Sequence, residues 1–185
     1  LRTKSHIRAA EAKDIEELFG FITGLAHTLG LTETVTTTQT DLAKNLFGKN
    51  PRVFCHIAEV DGEAVGAIFW YYGYSSFAGR AKLWVEDLFV KPNVRGHGVA
   101  EALIGFLAAK CLAEGHARLE GYVCASGRPV HKFYQSLGGQ LLQDTRMFRL
   151  EGDALRRLAE QSLRKNVGRV SNISYKGPSA LRDSA

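Results

Sequence analysis

The sequence predicts an α/β fold in which an antiparallel meander runs into β-α-β crossovers, giving a mixed central sheet with helices on both faces. Three observations predict it. Between residues 53 and 90 three apolar runs follow one another, separated only by Asp61-Gly62 and by Ser75–Gly79, which are turn sequences. After Val90 the apolar spacing changes from two residues to three and four, the period of a helix. From there strand-like and helix-like segments alternate, with glycines at the stops. At 185 residues the chain can bury one sizeable core.

In chain order, His6–Ala10 reads as a short strand, and Asp14–Thr28 carries Ile15, Leu18, Phe19, Ile22, Leu25 and Ala26 at helical spacing. Leu29–Thr37 is rich in Thr and Gly and reads as a loop. Thr38 with Asp41 three positions on is a capping pattern for a short helix, Gln39–Phe47, which Gly48-Lys49-Asn50-Pro51 stops. Val53–Val60, Ala64–Tyr74 and Ala81–Val90 are the strands of the meander. Val99, Leu103, Phe106 and Leu107 mark a helix that closes at Gly115. Ala117–Cys124 is strand-like, and Ser126–Leu137 is a helix that tolerates Pro129 in its first turn. Gly138-Gly139 end it, and Gln140–Leu150 is the last predicted strand. Asp153 then caps a final helix with Leu155, Leu158, Ala159 and Leu163 on one side. This divides the chain into a domain over residues 5–153 and a basic C-terminal helix with a flexible tail over 154–185.

The net charge of +5 is a property of that tail. Residues 1–153 hold 17 basic and 17 acidic side chains, whereas residues 154–185 hold seven basic against two acidic. A tail of this kind is a solvated extension. Its one aromatic, Tyr175, falls short of the interleaved basic and aromatic pattern of a nucleic-acid binder, so no nucleic-acid partner is expected. No apolar run approaches the roughly 20 residues that cross a bilayer, so no membrane partner is expected either. Cys55, Cys111 and Cys124 are odd in number and widely spaced, without a C-x-x-C or H-x-x-x-H pair. They read as buried or half-buried thiols of a reducing compartment, with no metal site. With no apolar leader in residues 1–6, a cytoplasmic protein is expected.

The chemistry-bearing stretch is Val90–Ala100. Arg95-Gly96-His97-Gly98-Val99-Ala100 falls where a helix begins, and the first turn of a helix has backbone N–H groups without internal partners and a dipole that favours negative charge. Glycines let a phosphate approach the backbone, and Arg95 adds a fixed positive charge. The stretch is therefore a candidate diphosphate cradle. It is not a Walker A loop, since no Gly-Lys-Ser/Thr follows, nor a dinucleotide fingerprint, since the preceding strand belongs to a meander.

Arg95-x-x-Gly98-x-Ala100, after an apolar strand and at the opening of an amphipathic helix, resembles the acetyl-CoA motif of the GNAT acetyltransferase superfamily, Arg/Gln-x-x-Gly-x-Gly/Ala. Phe133-Tyr134 before the helix end at Leu137-Gly138-Gly139 is similar to its second signature, and the likeness covers about residues 6 to 151. Ile7-Arg8-Ala9-Ala10, Phe69-Trp70-Tyr71-Tyr72-Gly73-Tyr74 and Trp84-Val85-Glu86-Asp87-Leu88-Phe89-Val90 are most similar to the spermidine/spermine (diamine or thialysine) acetyltransferase-like group. The resemblance implies a GNAT-like sheet and an N-acetyltransferase that moves acetyl from acetyl-CoA, its co-substrate, to a primary amine of a small molecule, with no metal. It implies that the backbone of Leu88, Phe89 and Val90 pairs with the pantetheine arm, that Arg95, Gly96, His97, Gly98, Val99 and Ala100 hold the diphosphate, and that Tyr134 is the catalytic acid. A homodimer is implied as well.

Amine chemistry supplies the other role. A primary amine is protonated near neutral pH, with a pKa of about 10.4, and must lose that proton before it attacks. Glu86, near the end of the meander and close to the cofactor loop, is the candidate base and ammonium ligand. Tyr71, Tyr72 and Tyr74 are candidates for lining the acceptor pocket, with Tyr72 and Tyr74 the expected substrate contacts and at least one of the three packed in the sheet. The resemblance departs on the acceptor side. The group's acidic position after the aromatic strand is Ser75 here, and only Glu33 remains of its acidic loop. A diamine, polyamine or amino acid is thus the expected substrate class, without a choice among them. The alternatives are a protein or peptide N-acetyltransferase and a non-catalytic CoA-binding regulatory module.

Overall fold

A five-stranded sheet is the centre of the first of two compact units in the computed structural model, which describes residues 4–125 and 127–165. Its strands are β1 (His6–Ala9), β2 (Phe54–Val60), β3 (Glu63–Ser75), β4 (Arg80–Val90) and β5 (Leu119–Gly121). They lie in sequence order, antiparallel from β1 to β4, with β5 parallel to β4. Three helices complete this framework: α1 (Ile15–Leu29), α2 (Gln39–Phe47) and α3 (Val99–Ala113). The first unit ends at Phe133, and the second begins at Tyr134, within α4 (Arg128–Ser136), and includes α5 (Gly152–Lys165).

Two apolar layers hold the sheet. On one face Val99, Leu103 and Leu107 of α3 pack with Ile68, Trp70, Leu83, Val85 and Val90. On the other, Leu18 and Phe21 of α1 and Leu42 and Leu46 of α2 pack with Ile57, Ala67, Phe69 and Phe89. Leu18, Leu83, Leu103 and Leu107 are fully buried, and each such side chain is worth about 1.5–3 kcal/mol. The predicted cap of α2 forms: Thr38 Oγ1 accepts from Asp41 N at 3.1 Å, and Asp41 Oδ2 accepts from Thr38 N at 3.2 Å. Arg8 ties β1 to the start of α1 and to β2 through Asp14 and Glu59, at 2.7 and 2.6 Å.

The list of side chains facing α3 along β4 (Leu83, Val85, then Leu88 and Val90) changes parity midway. The cause is a β-bulge: Phe69 pairs with Asp87 but Trp70 pairs with Val85, so Glu86 is the extra residue.

The C-terminal part of the prediction needs correction. The strand expected at Ala117–Cys124 shrinks to Leu119–Gly121, and no strand forms over Gln140–Leu150. That segment bends at Gln143 and Asp144, and Leu142, Met147 and Phe148 are exposed. Alternating apolar residues make a strand only where a neighbouring backbone completes the ladder, and among the described residues this segment has none. The fold therefore has one β-α-β crossover, β4-α3-β5, in place of two. The final helix begins at Gly152, so Asp153 lies in its first turn, paired with Arg156 at 2.5 Å. The predicted tail from Asn166 and the start of the Ser126 helix lie outside the described residues, as does the side chain of Leu163. No described helix is long and apolar enough to cross a membrane.

Candidate active site at the open end of strand β4

The chain leaves β4 at Val90, makes a 3-10 turn over Pro92–Val94 and enters α3 at Val99. Gly96 and Gly98 lie at φ 81° and 89°, in the left-handed region where a side chain costs about 1–2 kcal/mol. A Cβ at Gly96 would meet nothing within 4 Å, so the loop is open rather than packed. The first intrahelical bond runs from Ala102 N to Gly98 O, 2.9 Å. Among the described residues, the amides from Gly96 to Ala100 make no backbone hydrogen bond. Arg95 is oriented by two contacts: its Nε donates to Val90 O at 2.9 Å and its guanidinium lies 5.7 Å from the Phe89 ring centre. Val90, Arg95, Gly96, Gly98, Val99 and Ala100 line one cavity of about 230 Å³, to which Phe133 adds an apolar wall. His97 opens instead on a neighbouring cavity of about 370 Å³ that Lys4 and Ser5 border. Unpaired amides at a helix start beside a held guanidinium fit a diphosphate.

The edge of β4 continues this site. Its pairing with β5 stops after Leu83↔Leu119, Trp84↔Glu120 and Val85↔Gly121. A Cβ at Gly121 would sit 2.7 Å from Val85 O, so only glycine allows this last close approach. From Glu86 to Val90 that edge has no strand beside it among the described residues, while Leu88, Phe89 and Val90 pair with Ile68, Ala67 and Gly66 on the other edge. An open strand edge offers backbone donors and acceptors to an extended ligand. The Val90 carbonyl, however, already accepts from Arg95.

Glu86, the bulged residue, is exposed, and its Oε2 accepts from Trp84 Nε1 at 3.2 Å. Around the Trp84 ring stand Tyr122, edge-on at 4.7 Å, Tyr71 at 6.2 Å, and Lys82, whose Nζ lies 5.3 Å from the ring centre. Asp87 is half-buried, and burial followed by the charge of Glu86 pushes its carboxyl above the ordinary range. Tyr71 is pushed up for the same two reasons, so its hydroxyl stays protonated.

Tyr72 and Tyr74, the expected substrate contacts, lie away from Glu86. Tyr72 leaves the opposite face of the sheet, stacked edge-on with Trp70, its hydroxyl donating to Glu114 Oε2 at 3.1 Å. Tyr74, two residues on, is 68% exposed. Neighbouring strand residues point to opposite faces, so of the three candidate tyrosines it is Tyr71, joined by Tyr122 from beyond β5, that stands at Trp84. Neither Tyr122 nor Asp87 was singled out from the sequence. The adjacent pair Glu86-Asp87 was the available signal for Asp87.

Tyr134 belongs to the second unit. Burial raises its phenol, which therefore keeps its proton at neutral pH, and its carbonyl accepts from Leu137 N and Gly139 N at 3.1 and 2.9 Å, closing the helix at the predicted glycines. His56 is held neutral: burial, then Lys110, lowers it to about 4, and its Nδ1 accepts from Trp70 Nε1 at 3.0 Å. Cys55 and Cys111 are buried, but Cys124 is exposed, unlike the buried or half-buried thiol expected.

The profile of the acetyltransferase (GNAT) family matches residues 25–139. The chain belongs to the GNAT acetyltransferase family. Among its relatives, this acetyltransferase is 32% identical over 164 residues to thialysine N-epsilon-acetyltransferase of Bos taurus, spanning 83% of this chain and 96% of that one. It is 28% identical over 95 residues to an L-ornithine N5-acetyltransferase of Arabidopsis thaliana, spanning 51% and 42% of the two chains. The fold matches an integron cassette protein from the mobile metagenome of V. cholerae with a TM-score of 0.71, at 22% identity, over 84% of this chain and 98% of that one. It matches a ribosomal-protein-alanine N-acetyltransferase of Brucella melitensis with a TM-score of 0.66, at 21% identity, over 80% and 100%.

Proposed function

We propose that this GNAT acetyltransferase moves the acetyl group of acetyl-CoA to a primary amine of a small molecule, by direct transfer in a ternary complex. The observation that carries this reading is the meeting, at the end of β4, of an open strand edge with the amides of Gly96–Ala100. The backbone of Leu88, Phe89 and Val90 would hold the pantetheine arm, and Arg95, Gly96, His97, Gly98, Val99 and Ala100 the diphosphate. Bound there, acetyl-CoA supplies an activated thioester carbonyl.

The chain's own side chains handle the protons. Glu86, exposed and oriented by the Trp84 indole, attracts the ammonium and takes up its proton, directly or through a water. Asp87 beside it, raised by burial and by Glu86, accepts a proton more readily than an ordinary aspartate. Tyr134 holds a proton at Oη for the leaving group. Burial pushes the Cys55 thiol up and away from nucleophile chemistry, which agrees with direct transfer.

Relatives named for thialysine and ornithine favour an amine of that size. A cytoplasmic location rests on three cysteines that form no disulfide, and a homodimer on the resemblance and on the exposed Leu155 and Leu158 of α5; sedimentation equilibrium reads the latter. The deciding experiment follows thiol release from acetyl-CoA with diamino acids, diamines, polyamines and lysine peptides. Release is expected with the small amines. Release with none of them, or with peptides alone, overturns the reading.

A further inference from the structure

The Trp84 platform is dipolar. At one end stands Glu86, which meets no cation within ion-pair distance among the described residues. At the other end Lys82 Nζ and Arg118 Nε share a single carboxylate, that of Glu120. Burial pushes the Glu120 carboxyl up, but its hydrogen bonds from Lys82 and then Arg118 outweigh this, so it stays ionised and the cluster carries one surplus positive charge. Lys82 keeps donors beyond the one that Glu120 takes, and Arg118 keeps some after Nη2 donates to Ser75 Oγ at 3.3 Å. Lys82 and Glu86 do not neutralise each other because an extended strand sets their Cα atoms about 13 Å apart, less the shortening at the bulge. The indole of Trp84 spans the gap, with Lys82 over its ring and Glu86 on its N–H.

We propose that Lys82 and Arg118 bind the carboxylate of the acceptor, so that the site selects diamino acids over diamines and polyamines. The proposal rests on the acetyl-transfer reading above and adds the residues that choose the substrate. An acceptor lying along Trp84 places its side-chain ammonium at Glu86 and its carboxylate at Lys82 and Arg118, satisfying both unmatched charges at once. A diamine of the same length places the same second ammonium at the cationic end without the carboxylate that offsets it, so it is repelled there and leaves the cluster's donors unmet. A polyamine repeats that conflict.

Thialysine and bis(2-aminoethyl) sulfide, the same molecule without its carboxylate, are the matched probes. They are compared in acetyl-CoA turnover and in equilibrium binding by calorimetry, with thermal unfolding read for every variant. The wild type is expected to favour thialysine. Lys82→Met lowers the ratio of kcat/KM for thialysine to that for the diamine about tenfold, through KM, as expected for one lost hydrogen bond to a charged group. Lys82→Arg restores the ratio, and Glu120→Gln, which frees the two cations, raises it. A cluster that only pins β5 to β4 would shift the unfolding temperature and leave the ratio untouched; that result, or a wild-type preference for the diamine, overturns the proposal. If the wild type acetylates no amine, the acetyl-transfer reading falls, and the calorimetric comparison of the two probes still decides the carboxylate site.

Discussion

The proposed donor loop and the proposed acceptor platform share strand β4 and are built by opposite means. At the loop, binding groups are backbone amides, placed by two left-handed glycines and the start of α3 within six consecutive residues, Arg95 to Ala100. On the platform they are side chains from three places far apart in the chain: Tyr71 on β3, Lys82, Trp84 and Glu86 on β4, and Arg118 and Tyr122 on either side of β5. Backbone recognition tolerates almost any side chain as long as the backbone angles are kept. Side-chain recognition depends on register and on the bulge that aims Glu86. On the proposed assignment, that difference is why the donor half would be generic and the acceptor half specific.

Substitutions separate the two halves. The largest expected effect is that of Tyr134→Phe, which removes a proton donor and lowers kcat by about 10²–10⁴-fold while acetyl-CoA affinity, measured by calorimetry, holds. Equal losses in both would make Tyr134 a binding residue and blur the division. Glu86→Gln is expected to lower kcat/KM for the amine by about 10²-fold with the same donor affinity. A parallel Asp87→Asn variant shows whether the half-buried neighbour shares the proton, through a shift of the alkaline-rising limb of the pH–rate profile. Gly98→Ala attacks the other half: strain of about 1–2 kcal/mol at φ 89° weakens acetyl-CoA binding roughly tenfold, and the thialysine-to-diamine preference stays where it was.

The smallest effect tests what both halves stand on. The hydrogen bond from Arg8 holds the Asp14 carboxyl below the ordinary range. A carboxyl with a depressed folded pKa contributes stability that is fully present above its unfolded pKa of about 3.9 and is lost as pH falls through the lower, folded value. Wild-type unfolding temperature should therefore drop steeply below about pH 4. In Arg8→Met, less stable at pH 7, that acid drop should be shallower, with donor and acceptor functions declining together.

The same contrast decides what could be read without a structure. The cap of α2 at Thr38 and Asp41, the helical face of Leu103 and Leu107, the hairpin at Asp61-Gly62 and the loop at Arg95–Ala100 are all local patterns. Their physics lies within a few residues: a capping hydrogen bond, a 3.6-residue period, a turn, the unpaired amides of a helix start. Those parts the sequence determined by itself. Only the tertiary structure decided that Gln140–Leu150 forms no strand, because a strand exists through a neighbour whose presence no local pattern guarantees. Only it decided that Tyr71 rather than Tyr72 faces Glu86, because one inserted residue on β4 and the alternation of β3 set which side chains meet. The sharing of Glu120 by Lys82 and Arg118, on which acceptor choice is proposed to turn, joins Lys82 to a position 38 residues away through a three-residue parallel ladder. Contacts of that kind depend on long-range register, which composition and spacing do not carry.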